Sequence, residues 1–147
     1  MQNLTLSAAF SMHGAMAHPP RSALSAMASD SALVMLCSAE HFVRHAEGVL
    51  RYDDRLSRAG VGSGASATQL AQHLATARDG GLAVRLIVQG GRRDAPARGG
   101  RPLHVRHDLV GRVVEFDGAH YVVDFTKSVT DAAEDAEPPK RKVRRRR

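Results

Sequence analysis

LHVRHDLVGRVVEFDGAHYVVDFT, residues Leu103 to Thr126, reads as two strands joined at Asp117-Gly118. β-Branched and aromatic residues dominate both arms, and an Asp-Gly pair between apolar runs is a strong hairpin signal because glycine supplies the positive φ of the turn. The strands are predicted over Leu103–Phe116 and Ala119–Phe125. In such a hairpin, residues whose numbers sum to about 235 face one another. Position 107 then pairs near position 128, and Asp124 lies a short diagonal away.

Working outward, Leu82–Gln89 (LAVRLIVQ) is almost continuously apolar and predicts a central strand buried on both faces. The intervening Gly90–Arg101 (GGRRDAPARGGR) has the glycine, proline and arginine content of a surface loop. Ala67–Ala77 places Leu70, Leu74 and Ala77 on one helical face, with Ser66 as N-cap and Asp79-Gly80-Gly81 as terminator. Ser31–Tyr52 carries Phe42, Ala46, Val49 and Leu50 at helical spacing and predicts a half-buried helix. Leu56–Ser66, with Gly60, Gly62 and Gly64, reads as a loop.

The segments to either side are polar. Residues 1–30 read as a flexible N-terminal arm with a short helix near Ser22–Ala28, residues 31–129 as the folded domain, and residues 130–147 as a disordered tail, acidic and then basic. The expected fold class is α+β: two main helices packed on a small, mostly antiparallel sheet of about three to five strands.

Composition narrows the chemistry. A single cysteine, Cys37, leaves no disulfide framework and no multi-cysteine zinc site. Six aromatics and no tryptophan imply a core of Ala, Val and Leu, with little surface for stacking nucleobases. The formal charge is +6. In the tail, Lys140, Arg141, Lys142, Arg144, Arg145, Arg146 and Arg147 outweigh Asp131, Glu134, Asp135 and Glu137. No run has the length of a membrane span, and the N-terminus, without a basic opening, makes a poor signal peptide.

A nucleophilic thiol needs a base within reach and a third group to orient that base. Cys37 at the head of the expected helix, His107 on the first hairpin strand and Asp124 on the second form the candidate set, with His104 as the alternative base. The bland readings are a core cysteine and strand-edge histidines. Asp124, set among Tyr121, Val122, Val123 and Phe125, requires a partner on either reading, since an unpaired buried charge is costly.

The order of Cys37, the β-rich stretch Leu82–Gln89, a strand histidine and VVDFT resembles the papain-like superfamily, nearest to its transglutaminase-like enzymes and bacterial effector deamidases. The likeness covers about Leu33–Val129; the tryptophan or glycine usual beside the nucleophile and the aromatic usual two residues after the histidine are missing. It implies a papain-like core and a thiol-dependent hydrolase acting on a protein substrate by deamidation, transamidation or proteolysis. Cys37 would attack the amide carbonyl, His107 would transfer the proton and Asp124 would hold the imidazole. No cofactor is implied. The matching context is a soluble effector or toxin secreted into a eukaryotic host cell, and otherwise a cytoplasmic protein.

Other patterns compete. Cys37, His41 and His45 repeat every fourth residue and would form a metal-binding stripe on a helix, although three ligands spread over eight residues of a straight helix rarely converge on one ion. PPKRKVRRRR, which ends in Arg144, Arg145, Arg146 and Arg147, resembles a nuclear-import segment, for an import receptor, and equally suits an acidic polyanion. Arg92, Arg93, Arg98 and Arg101 would add to a basic face. The alternative function is therefore a non-enzymatic nucleic-acid-binding or ribosome-associated protein. A third is a structural adaptor that assembles through its hairpin.

Overall fold

The computed structural model describes residues 4–18, 23–59, 64–91 and 101–127. Among these, seven strands form one mixed sheet: β1 (Ser25–Met27), β2 (Leu33–Ser38), β3 (Phe42–Ala46), β4 (Val49–Arg55), β5 (Val84–Gln89), β6 (Leu103–Phe116) and β7 (His120–Lys127). Their order is β1-β2-β5-β6-β7-β4-β3, and only the β2–β5 pair is parallel. The helices are α1 (Leu6–Met12), the single turn α2 (Leu56–Ala59) that follows β4, and α3 (Gly64–Gly80). α1 and α3 pack on opposite faces of the sheet. The α+β class follows directly.

The hairpin forms where Asp117-Gly118 places it. β6 pairs with β7 from Phe116↔Tyr121 to Leu109↔Lys127, and Gly118 adopts φ 99° at the turn. Gly111 opposes Phe125, and a Cβ there would lie 2.6 Å from two ring carbons, so the phenyl ring lies over bare backbone. The predicted strand Leu82–Gln89 becomes β5, with Val84, Leu86 and Ile87 fully buried. The helix expected at Ala67–Ala77 is α3, whose Leu70, Leu74 and Ala77 enter the main core.

Four expectations are corrected. Ser31–Tyr52 is not a helix but β2, a 3-10 turn at Ala39–His41, β3 and the start of β4. Its apolar residues also satisfy the two-residue period: Leu33, Met35 and Cys37 face α3, while Val34 and Leu36 face α1. The short helix near Ser22–Ala28 is strand β1, and residues of the expected loose arm form α1, with Ala9 and Phe10 fully buried. The sheet has seven strands rather than three to five because Ser31–Tyr52 supplies β2, β3 and the start of β4, and the N-terminal arm supplies β1.

The sheet curls around α3. Tyr52 on β4 accepts a hydrogen bond from the Ser38 N–H on β2 at 2.9 Å, although β5, β6 and β7 separate those strands in the sheet. Phe42, Tyr52, Tyr121 and Phe125 meet inside the curl, so most of the few aromatics are spent on the concave core. The outer face is covered by α1 only over β2, β5 and the start of β6, where Val34, Leu36, Ile87, Leu103 and Val105 form a second core with Ala9 and Phe10.

Candidate functional site

Cys37 lies inside β2, paired with Val88, and is fully buried in the main core. It lies in a strand and does not open a helix, so the helix dipole expected at its own position is not there. Tyr52 stands close to it: burial pushes the Tyr52 hydroxyl well above its ordinary pKa, with smaller contributions from Cys37, Tyr121 and Asp54. The Tyr52 O–H donates to Asp54 Oδ2 at 2.6 Å, and the Arg55 N–H donates to Asp54 Oδ1 at 2.8 Å. The alternating YDD of β4 thus sends Tyr52 and Asp54 inward together.

Asp124 points the other way. On β7, Tyr121, Val123 and Phe125 enter the concave core, so Asp124 belongs to the outer face. Both of its oxygens accept from Arg51, at 2.7 Å from Nε and 2.9 Å from Nη2, and this contact is the main reason its pKa is lowered. It lines a cavity of about 310 Å³ together with Val49, Val110, Gly111, Arg112 and Thr126. The sheet backbone stands between this carboxylate and the Cys37 thiol.

His107 occupies a bulge. β6 pairs with β5 at Arg106↔Leu86 and again at Gly111↔Val84, which leaves the residues between them arched out of the ladder. There its ring meets His13 edge-on at 4.9 Å between centroids, on the side covered by α1. His104 pairs with Val88, which pairs with Cys37, so two strand spacings, roughly 10 Å, separate the exposed His104 from the cysteine in the backbone. Cys37, His107 and Asp124 therefore do not converge, and neither do Cys37, His104 and Asp124. The Cys37-His41-His45 stripe dissolves as well, since the three lie on β2, the 3-10 turn and β3. Among the described residues, no group of His, Cys, Asp or Glu has the arrangement to hold a metal ion.

Other polar clusters are assembled mainly by long-range register. His120 Nε2 donates to Asp53 Oδ1 at 2.6 Å on the outer face. Ser25 Oγ and His73 Nδ1 share a hydrogen bond of 2.8 Å that ties α3 to β1. Burial lowers the pKa of His73. Period-two reading of β4 could have flagged Asp53; the other partners depend on long-range register.

The base of the arginine-rich loop is held from within. The Arg101 side chain, 8% exposed, donates to the carbonyls of Gly90 (2.7 Å), Gln89 (3.3 Å) and Gly91 (3.2 Å) and to Ser38 Oγ (2.7 Å). Ser38 Oγ in turn donates to Glu40 at 3.1 Å. Arg101 is thus a clamp on the two ends of the loop rather than part of a basic surface. Arg92, Arg93 and Arg98 lie outside the described residues. So does the chain from residue 128 onward, and with it every cation of the basic run: Lys140, Arg141, Lys142, Arg144, Arg145, Arg146 and Arg147.

Charge is strongly segregated. Among the described residues, ten Lys or Arg are balanced by ten Asp or Glu, so the net +6 of the chain comes from residues outside them. Topology sets where the basic segments attach. The loop joins the end of β5 to the start of β6 at Gln89↔Leu103; β7, antiparallel to β6, runs in that direction but ends at Lys127, opposite Leu109 in the middle of β6. No helix among the described residues is long and apolar enough to cross a membrane. No protein-family model, no curated protein and no solved structure matches the chain.

Proposed function

We propose that this chain is a non-enzymatic, basic nucleic-acid-binding protein that holds a phosphate backbone with two cationic segments carried by a charge-balanced body. One observation carries this reading: the ten described cations are matched by ten described carboxylates, so the excess positive charge lies chiefly in two short segments, the arginine-rich one between β5 and β6 and the run Lys140–Arg147. Two weak electrostatic contacts joined through one body raise each other's effective concentration, so both act on one strand of phosphates. With most of the aromatics turned into the core, the contacts are to phosphate and carry little sequence preference.

Fluorescence anisotropy of a labelled RNA or DNA oligonucleotide across a salt series tests the reading. The slope of log K against log salt should flatten by about 0.9 for every duplex phosphate that is no longer neutralised. Deleting Lys140–Arg147, and separately replacing Arg92, Arg93 and Arg98 by Gln, should each weaken binding at least tenfold. Binding unchanged by both alterations rejects the proposal. PKRKV also resembles an import segment, and a fluorescent fusion excluded from the nucleus with the tail intact would remove an import receptor from the possible partners.

The thiol-enzyme reading, with a protein amide as substrate, keeps the order of residues along the chain but gains nothing from the geometry. The papain-like resemblance rests on that order alone.

A further inference from the structure

The N-terminal segment is fastened to the outer face of the sheet by an imidazole. α1 has no acidic residue in its first turn and no basic residue in its last, and Thr5 caps it by accepting from the Ala8 N–H at 3.1 Å. Just past its end, His13 turns inward and is 6% exposed. Its Nε2–H donates to the Leu86 carbonyl on β5 at 2.9 Å, and its ring packs edge-on against His107 from β6. Arg85 donates to the His13 carbonyl at 2.9 Å and pairs with Asp30, and an Ala15↔Ala28 bridge continues the attachment toward β1.

The charges around this ring are one-sided. β5 presents Arg85, and β6 presents His107 beside Arg106 and Asp108, which are locked to each other at 2.8 Å. The turn before β2 presents Asp30, already engaged by Arg85, and α1 offers no charge at either end. A proton on His13 would therefore sit between two cationic or cation-forming groups with no described carboxylate free to answer it. Burial is the first cause lowering its pKa, and His107 and Arg85 lower it further, against an opposing contribution from the Leu86 hydrogen bond.

We infer that His13 is an acid-sensitive latch: proton uptake by its ring weakens the hold on residues 4–18 and raises the population in which they leave the sheet and bare the apolar outer face formed by Val34, Leu36, Ile87, Leu103 and Val105. The two cores are separate clusters on opposite faces, so the main core around α3 survives the release. The opening is local because only the smaller cluster depends on α1.

Amide hydrogen exchange on the full chain at pH 7.5 and pH 5.0, corrected for intrinsic rates, reads the latch. Protection of Ala9 through Ala15 should fall several-fold on acidification while that of β7 holds. His13→Gln keeps a donor for the Leu86 carbonyl but cannot take the proton, so its protection should not change with pH. His73→Gln should still show the loss. Protection that is flat with pH in the parent protein, or a loss that persists in His13→Gln, overturns the inference. If His13→Gln is detached at both pH values, ring titration of His13 by NMR decides: its midpoint must coincide with that of the exchange change, and separate midpoints overturn the latch.

Discussion

A thiol with no exposed surface reacts only when its surroundings open, so Cys37 should alkylate at the rate of opening of the β2 core. Iodoacetamide labelling followed by mass spectrometry should be slow in buffer and fast in denaturant; fast labelling of the native protein below pH 7 would revive the nucleophile. Tyr52→Phe removes the acceptor of the Ser38 N–H and a donor to Asp54, and should cost about 1–3 kcal/mol by chemical denaturation. Because the folded state holds the Tyr52 proton more tightly than the unfolded chain, this stability is complete below the ordinary value of 10.0 and declines as pH rises beyond it. Gly111→Ala drives a methyl into the Phe125 ring and should cost about 1–3 kcal/mol, or displace the ring with a change in its NMR shifts. That Asp124 needs a partner is legible in the sequence; that the partner is Arg51 is not, because the two lie 73 positions apart and meet only through the β4–β7 pairing.

At the level of elements, α1 and α3 each depend on a histidine carried into the protein. For His73, burial lowers the pKa below 6.5, so the unfolded chain takes up the proton first as pH falls. Its contribution is present above 6.5 and lost on acidification toward the folded-state value, so the urea midpoint should fall between pH 7 and pH 5, less steeply in His73→Gln. Phe10→Ala should cost about 3–5 kcal/mol, since Phe10 is fully buried against the outer face; a change within about 0.5 kcal/mol would mean that α1 contributes little to the fold. The hairpin and α3 are legible because turn chemistry and periodicity agree locally. Ser31–Tyr52 misleads because its apolar residues fit both periods, and only pairing partners elsewhere in the chain choose between them.

Across the whole molecule, a curled sheet with balanced charge carries its cationic segments after β5 and beyond β7. Replacing Arg101 by Ala should lower stability by about 2 kcal/mol or more, because the carbonyls of Gln89, Gly90 and Gly91 lose a buried donor. It should weaken nucleic-acid binding only through the placing of the loop, with a salt slope close to that of the parent. A slope flattened as much as in the Arg92, Arg93 and Arg98 variant would instead make Arg101 a phosphate contact.

By itself the sequence determined the α+β class, the Asp117-Gly118 hairpin, the α3 face, the buried strand at Leu82–Gln89 and the accumulation of charge in a few segments, because each of these is written in neighbouring residues. Only the tertiary structure decided that Cys37 and Asp124 lie on opposite faces, that His107 meets His13 and that Arg101 closes a loop. In a β-sheet a side chain's face follows from strand register, and register is set by residues distant in the chain.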